Sequence, residues 1–129
     1  MLNKEYTHFE DYYKESFAPV YERFKGVIAD ERNGAEALYK SVSELYKTSC
    51  ELMKFYSWNN GFYITTPLDY IKNLFRLEII TYGEEWIILG DMVENPSKVS
   101  AREFVQFVLD NSKIFDEFAE KMRSLAADV

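Results

Sequence analysis

Between Gly34 and Gly61 no glycine or proline interrupts the chain, and Leu38, Val42, Leu45, Tyr46, Leu52, Met53 and Tyr56 recur there at helical spacing. Glu36 with Lys40, Glu44 with Lys47 and Glu51 with Lys54 stand three or four positions apart among the remaining residues, where oppositely charged side chains of a helix meet. The pattern predicts an amphipathic helix from Ala35 to about Tyr56, with an apolar stripe that other elements must cover. Cys50 falls inside it, where a small thiol serves as apolar filler; no second catalytic group accompanies it in the sequence.

The length of 129 residues fits one domain spanning 1–129 and is too short for two independent cores. Hydrophobic residues at 47% and charged residues at 29% place the chain among globular proteins rather than disordered ones. Aromatics reach 17%, with ten Tyr and ten Phe, so bulky rings must fill much of that core while tyrosine hydroxyls seek water or a partner. The apolar run of a signal peptide is missing at the N-terminus and no stretch approaches membrane-spanning length, which together with a single cysteine leads to the expectation of a cytoplasmic protein.

Before the central helix, Thr7 and Glu10 form a capping-box pattern, and Phe9, Tyr12, Tyr13, Phe17, Val20, Tyr21, Phe24, Val27 and Ile28 give an aromatic helical stripe. Pro19 lacks an amide hydrogen and crowds the preceding turn, which predicts a kink or two abutting helices near Ala18. Asp30 to Gly34 is the first loop; it fails as a calcium loop because Arg32 takes a ligand position and no bidentate glutamate follows at the right distance.

Asn59, Asn60 and Gly61 stop the central helix, since Asn and Gly tolerate left-handed backbone. Phe62 to Thr66 is β-branched and aromatic and suits a short strand, after which Thr66, Pro67 and Asp69 start a short helix through Leu68, Ile71, Leu74 and Phe75. Leu77 to Tyr82 and Trp86 to Leu89 are apolar runs around Gly83, Glu84 and Glu85, best matched by a β-hairpin; a helix running from Pro67 to Tyr82 is the rival. Ser100 with Glu103 caps a further helix, Asn111 and Ser112 break it, and Ile114, Phe115, Phe118, Ala119, Met122 and Leu125 mark a last one, with fraying expected from Ala126. The expected fold is α+β and predominantly α-helical: four to five helices around a small central β-hairpin or three-stranded antiparallel sheet, with Leu38, Leu45, Phe104 and Phe118 in the core.

A net charge of −7 disfavours a nucleic-acid backbone or an anionic membrane as partner, since both require a basic patch. His8 is the only histidine, so His clusters, Cys/His zinc sites and triads are not available; no phosphate loop, nucleophile elbow or other cofactor signature occurs, and no cofactor or metal is expected. Catalysis is therefore disfavoured, its best carboxylates being Glu84, Glu85 and Asp91. The expectation is a small acidic protein that works by binding another protein, of inhibitor, immunity or adaptor type, through Trp58, Tyr63, Tyr82, Glu84, Glu85 and Asp91. Aromatic anchors rimmed by carboxylates suit a basic protein surface. The span 62–100 carries six acidic against three basic residues, which favours this region. The alternative is a binder or sensor of an apolar small molecule.

Overall fold

The computed structural model describes residues 9–30 and 32–127, so Thr7 of the first expected cap and the lone His8 lie outside the described residues. The chain is built from α1 (Phe9–Tyr12), a π-helical turn (Tyr13–Phe17), α2 (Ala18–Ala29), α3 (Ala35–Asn59), α4 (Pro67–Arg76), α5 (Gly83–Glu94), a 3-10 turn (Pro96–Lys98), α6 (Ala101–Asp110) and α7 (Lys113–Ala127). No strand occurs among the described residues.

The 25 residues of α3 form the spine. At about 1.5 Å of rise per residue it is long enough for α1, the π turn and α2 to pack along it while α4, α5 and α6 cover it elsewhere. It ends at a Schellman motif: Gly61 takes φ 88°, its N–H donates to the Trp58 carbonyl (3.1 Å) and that of Phe62 to the Ser57 carbonyl (2.8 Å). Pro19 acts as the sequence leads one to expect, although the local response is a change of helical register. The amide of Ala18 donates to the Tyr13 carbonyl, five residues back, and the wider turn accommodates a proline that cannot donate to Glu15.

The expected α+β arrangement is overturned. Phe62 to Thr66 is an extended connection without a pairing partner, because its backbone runs back beside α4 and its side chains are used there: Arg76 lies 5.3 Å from the Phe62 ring centre. The anticipated hairpin of Leu77 to Tyr82 with Trp86 to Leu89 is instead a turn followed by α5. Trp86, Leu89, Gly90 and Val93 are buried and Ile87 and Ile88 are not, a period of three to four that only a helix satisfies. The rival long helix is also absent: α4 stops at Arg76, where Glu78 adopts φ 62° and the N–H of Ile79 reaches back to the Leu74 carbonyl (2.9 Å).

The core is aromatic and is centred on Trp86, which is fully buried. Its ring meets Phe115 (5.6 Å, 82°) and Phe118 (5.2 Å, 61°) edge to face, while Phe17 packs on Phe118 and Phe24 on Phe115. The π turn, α2, α5 and α7 are thereby joined to α3, which contributes Tyr46 against Trp86 (6.3 Å). Leu38, Leu45, Phe104 and Phe118 are all buried.

Candidate binding surface

The helices α4 and α5 form an antiparallel hairpin laid against α3. Thr66 caps α4 by accepting from the Asp69 N–H, and Pro67 opens its first turn. Tyr70, Ile71, Asn73 and Leu74 face inward, leaving Leu68, Lys72 and Phe75 in one outward row. Glu84 and Glu85 stand in the first turn of α5, where carboxylates suit the positive end of the helix dipole. With Trp86, Leu89 and Val93 committed to the core, Ile87, Ile88 and Asp91 are left outside.

The consequence is a concentration of exposed apolar surface. Among the described residues seven large apolar side chains are exposed, and five of them (Leu68, Phe75, Leu77, Ile87 and Ile88) belong to the α4–α5 hairpin or its turn. The charged groups beside Ile87 and Ile88 on α5 are Glu84, Glu85, Asp91 and Glu94, and Lys72 stands between Leu68 and Phe75 on α4.

Between α3, α4 and α5 this face sinks into a cleft. One half, of about 310 Å³, has Leu68 and Ile87 on its walls, Tyr46 and Ile71 deeper, and Asp91 and Glu94 on its α5 edge. The other half, of about 480 Å³, runs under α3 past Cys50, Glu51, Lys47 and Lys54. Tyr46, Pro67 and Glu94 line both. Burial raises the Tyr46 hydroxyl well above the ordinary phenol range, reinforced by Cys50 and by the Glu94 charge. Burial likewise pushes the Cys50 thiol up to about 12, partly offset by its hydrogen bond with Tyr46 and increased by Glu94 and Glu51. Both groups are therefore neutral at physiological pH, and the thiol is unreactive.

The six residues singled out from the sequence fall into two groups. Trp58 and Tyr63 meet edge to face (5.6 Å) at the end of α3, where the Trp58 indole N–H donates to the Ile64 carbonyl (2.7 Å) and Tyr63 is 63% exposed. The connection that holds them runs along the side of α4 carrying Asp69, Asn73 and Arg76, away from α5. Tyr82, Glu84, Glu85 and Asp91 all belong to the start or body of α5, yet they point differently. Tyr82 is half-buried with Lys113 of α7 over its ring (4.9 Å), Glu84 and Asp91 are exposed, and Glu85 turns sideways with one carboxylate oxygen buried. Asp91 accepts from the Asn95 side-chain amide (3.0 Å) and has Lys98 at 3.9 Å.

Of the four apolar residues that mark α4 in the sequence, Ile71 and Leu74 are buried and Leu68 and Phe75 are exposed, and Ile87 and Ile88 are helix-surface residues rather than members of a hairpin strand. Tyr46 and Glu94 were not singled out as site residues. The available signal was the spacing of Gly83, Trp86, Gly90 and Val93, which sets the inward face of α5 and leaves the two isoleucines off it.

A second groove, of about 310 Å³, lies where the start of α3, the 3-10 turn and the start of α6 meet, with Tyr39, Met92, Val99 and Phe104 on its walls. The Tyr39 hydroxyl crosses beside it to donate to the Val93 carbonyl (2.7 Å). No helix among the described residues is long and apolar enough to cross a membrane. No protein-family model matches the chain, and no curated protein matches it in sequence.

Proposed function

We propose that this chain is a protein-binding module of the inhibitor, immunity or adaptor kind, acting in the cytoplasm through the outward face of the α4–α5 hairpin. The observation that carries the reading is the gathering of Leu68, Phe75, Ile87 and Ile88 on one exposed helical hairpin, with Glu84, Asp91 and Glu94 beside the isoleucines and Lys72 between Leu68 and Phe75. Apolar side chains at the centre of a polar surround are how protein interfaces are built, and the acidic residues favour a basic partner by steering its approach. Hairpin packing against α3 supplies the rigid support that such a surface needs.

The test is chemical cross-linking and affinity capture from cells that make this protein, comparing the natural chain with Ile87→Ser and Leu68→Ser. A protein recovered by the natural chain and lost from both folded variants is the expected result. Identical recovery by all three chains would remove this face from consideration. Binding of an apolar small molecule is the second reading, favoured by the apolar walls of the groove beside Tyr39 and Phe104; native mass spectrometry of the purified chain would then show a bound mass that Phe104→Ala releases.

A further inference from the structure

From the lining of the cleft between α3, α4 and α5, we infer that the partner of this chain inserts an arginine side chain there from an amphipathic helix whose apolar residues lie on the α4–α5 face. The inference rests on the protein-binding reading above and adds the identity of the anchor. Three features of the cleft select that occupant.

The first is charge. The half of the cleft between α4 and α5 is lined by Asp91 and Glu94 and by no basic residue, whereas Lys47 and Lys54 stand in the adjoining half under α3. The two carboxylates are three residues apart on α5, so their Cβ atoms are about 5–6 Å from each other on one helix edge. Among the described residues Glu94 forms no ion pair, and Asp91 has only the loose contact with Lys98 and the Asn95 amide, which leaves a lone pair for an incoming donor. A cation placed between them meets two acceptors, with Lys98, 3.9 Å from Asp91, as the neighbouring cation it competes with.

The second feature is the apolar wall. Pro67, Leu68, Ile71 and Ile87 surround the entrance, so a cation must arrive on a stem that tolerates them. Arginine carries three methylenes behind a planar, weakly hydrated guanidinium with five donors in a fixed fork, able to address two carboxylates at once. A lysine ammonium is more strongly hydrated and is a point charge, and loses more on entering such a cleft.

The third feature is shape. Leu68 and Phe75 on α4, with the exposed Lys72 between them in the same row, and the neighbouring Ile87 on α5 define a shallow track with the cleft at one end, close to Leu68. A helix lying on that track with apolar residues at positions i and i+3 or i+4 would carry the arginine one turn further on, which is the helix-in-groove mode of recognition.

The experiment is selection of helical peptides from a randomised displayed library on the intact chain, followed by affinity measurement of enriched peptides on the natural chain, on Asp91→Asn combined with Glu94→Gln, and on Ile87→Ser. All three side chains replaced are on the surface, and circular dichroism melts establish that each variant is folded. The expected result is enrichment of an arginine at fixed spacing from two apolar residues. The doubly neutralised chain should then bind at least tenfold more weakly at low salt, and changing the peptide arginine to lysine should weaken binding several-fold. Peptides that lack a fixed basic position, that tolerate lysine equally, or that bind the doubly neutralised chain unchanged would overturn the arginine anchor. Should those same peptides still be lost on Ile87→Ser, the binding face stands without the anchor. Peptides indifferent to Ile87→Ser, or no enrichment at all, would remove both.

Discussion

Gly90 shows how a single missing side chain sets the geometry of the candidate cleft. A Cβ built there would overlap the Tyr46 hydroxyl and stand 2.9 Å from its Cζ, and Tyr46 is held by Trp86 on one side and Cys50 on the other. Alanine would gain about 1 kcal/mol of helix propensity, but overpacking a held ring costs about 1–3 kcal/mol, so Gly90→Ala should lose net stability in urea unfolding. Gly83 is a milder case: its Cβ would stand 2.8 Å from the exposed Phe75 ring, which can swing aside, and 3.1 Å from the Phe75 Cβ, which cannot, so Gly83→Ala should cost less than Gly90→Ala, about 0.5–1 kcal/mol. Equal losses in both variants would contradict this account of Tyr46. Cys50 gives a second residue-level expectation, from the sign of its shift. Its pKa is raised from 9.0 to about 12 by burial, so the folded state favours the neutral thiol and this contribution is complete below pH 9 and lost as pH rises toward 12. Tyrosine ionisation in the unfolded chain adds to the loss only above about pH 10. Between pH 9 and 10, then, stability of the natural chain should fall while Cys50→Ala stays flatter; parallel declines over that window would show that the thiol is not buried as described.

At the scale of elements, what was legible was whatever a local rule determines. The Ser100 capping box of α6, with the Glu103 N–H donating to the Ser100 hydroxyl (3.1 Å) and the Ser100 N–H to the Glu103 carboxylate (3.2 Å), follows from two residue types at fixed spacing. So do the Thr66–Pro67 start of α4 and the Gly61 stop of α3, because each satisfies backbone groups within a few residues. The run Leu77 to Leu89 was not legible in this way. Its isoleucines and aromatics suit a strand locally, and what makes 83–94 helical is burial of Trp86 between α3 and α7, a contact with residues far along the chain. The stop at Glu78 was hidden for the same kind of reason: glutamate gives no sign of left-handed backbone, yet the N–H groups of Glu78 and Ile79 close the end of α4 on the Phe75 and Leu74 carbonyls. A non-glycine residue at φ 62° is strained by its Cβ, so Glu78→Gly should stabilise the chain by about 0.5–1 kcal/mol after allowing for glycine's greater freedom when unfolded. A decrease in the urea midpoint would mean that the Glu78 side chain makes a compensating contact.

For the whole molecule the two tryptophans mark different regimes. Trp86 joins α3, α5 and α7 in the aromatic core, whereas Trp58 is half-buried at the far end of α3 and is tied to the following connection by its bond to the Ile64 carbonyl. That division also explains how little of the binding surface could be read beforehand. Exposed Glu84 and Asp91 follow from charge alone, but Leu68, Phe75 and Ile87 become surface residues only once α3 has claimed the other faces of α4 and α5. Because α4 and α5 rest on that one core, the hairpin should unfold with it rather than before it. Single-tryptophan variants provide the measurement: Trp58→Phe leaves fluorescence reporting on Trp86, and Trp86→Phe leaves it reporting on Trp58. In the Trp58→Phe chain the urea transition seen by Trp86 should coincide with loss of helical circular dichroism, as two-state unfolding requires. Trp86→Phe vacates part of a close-packed site and should cost about 1–3 kcal/mol, shifting both signals together. If the Trp58 signal instead changes at lower urea than the helical signal, the end of α3 and its connection to α4 open as a separate unit. The α4–α5 face would then stand on a support that yields before the core, and a rigid docking surface there would be ruled out.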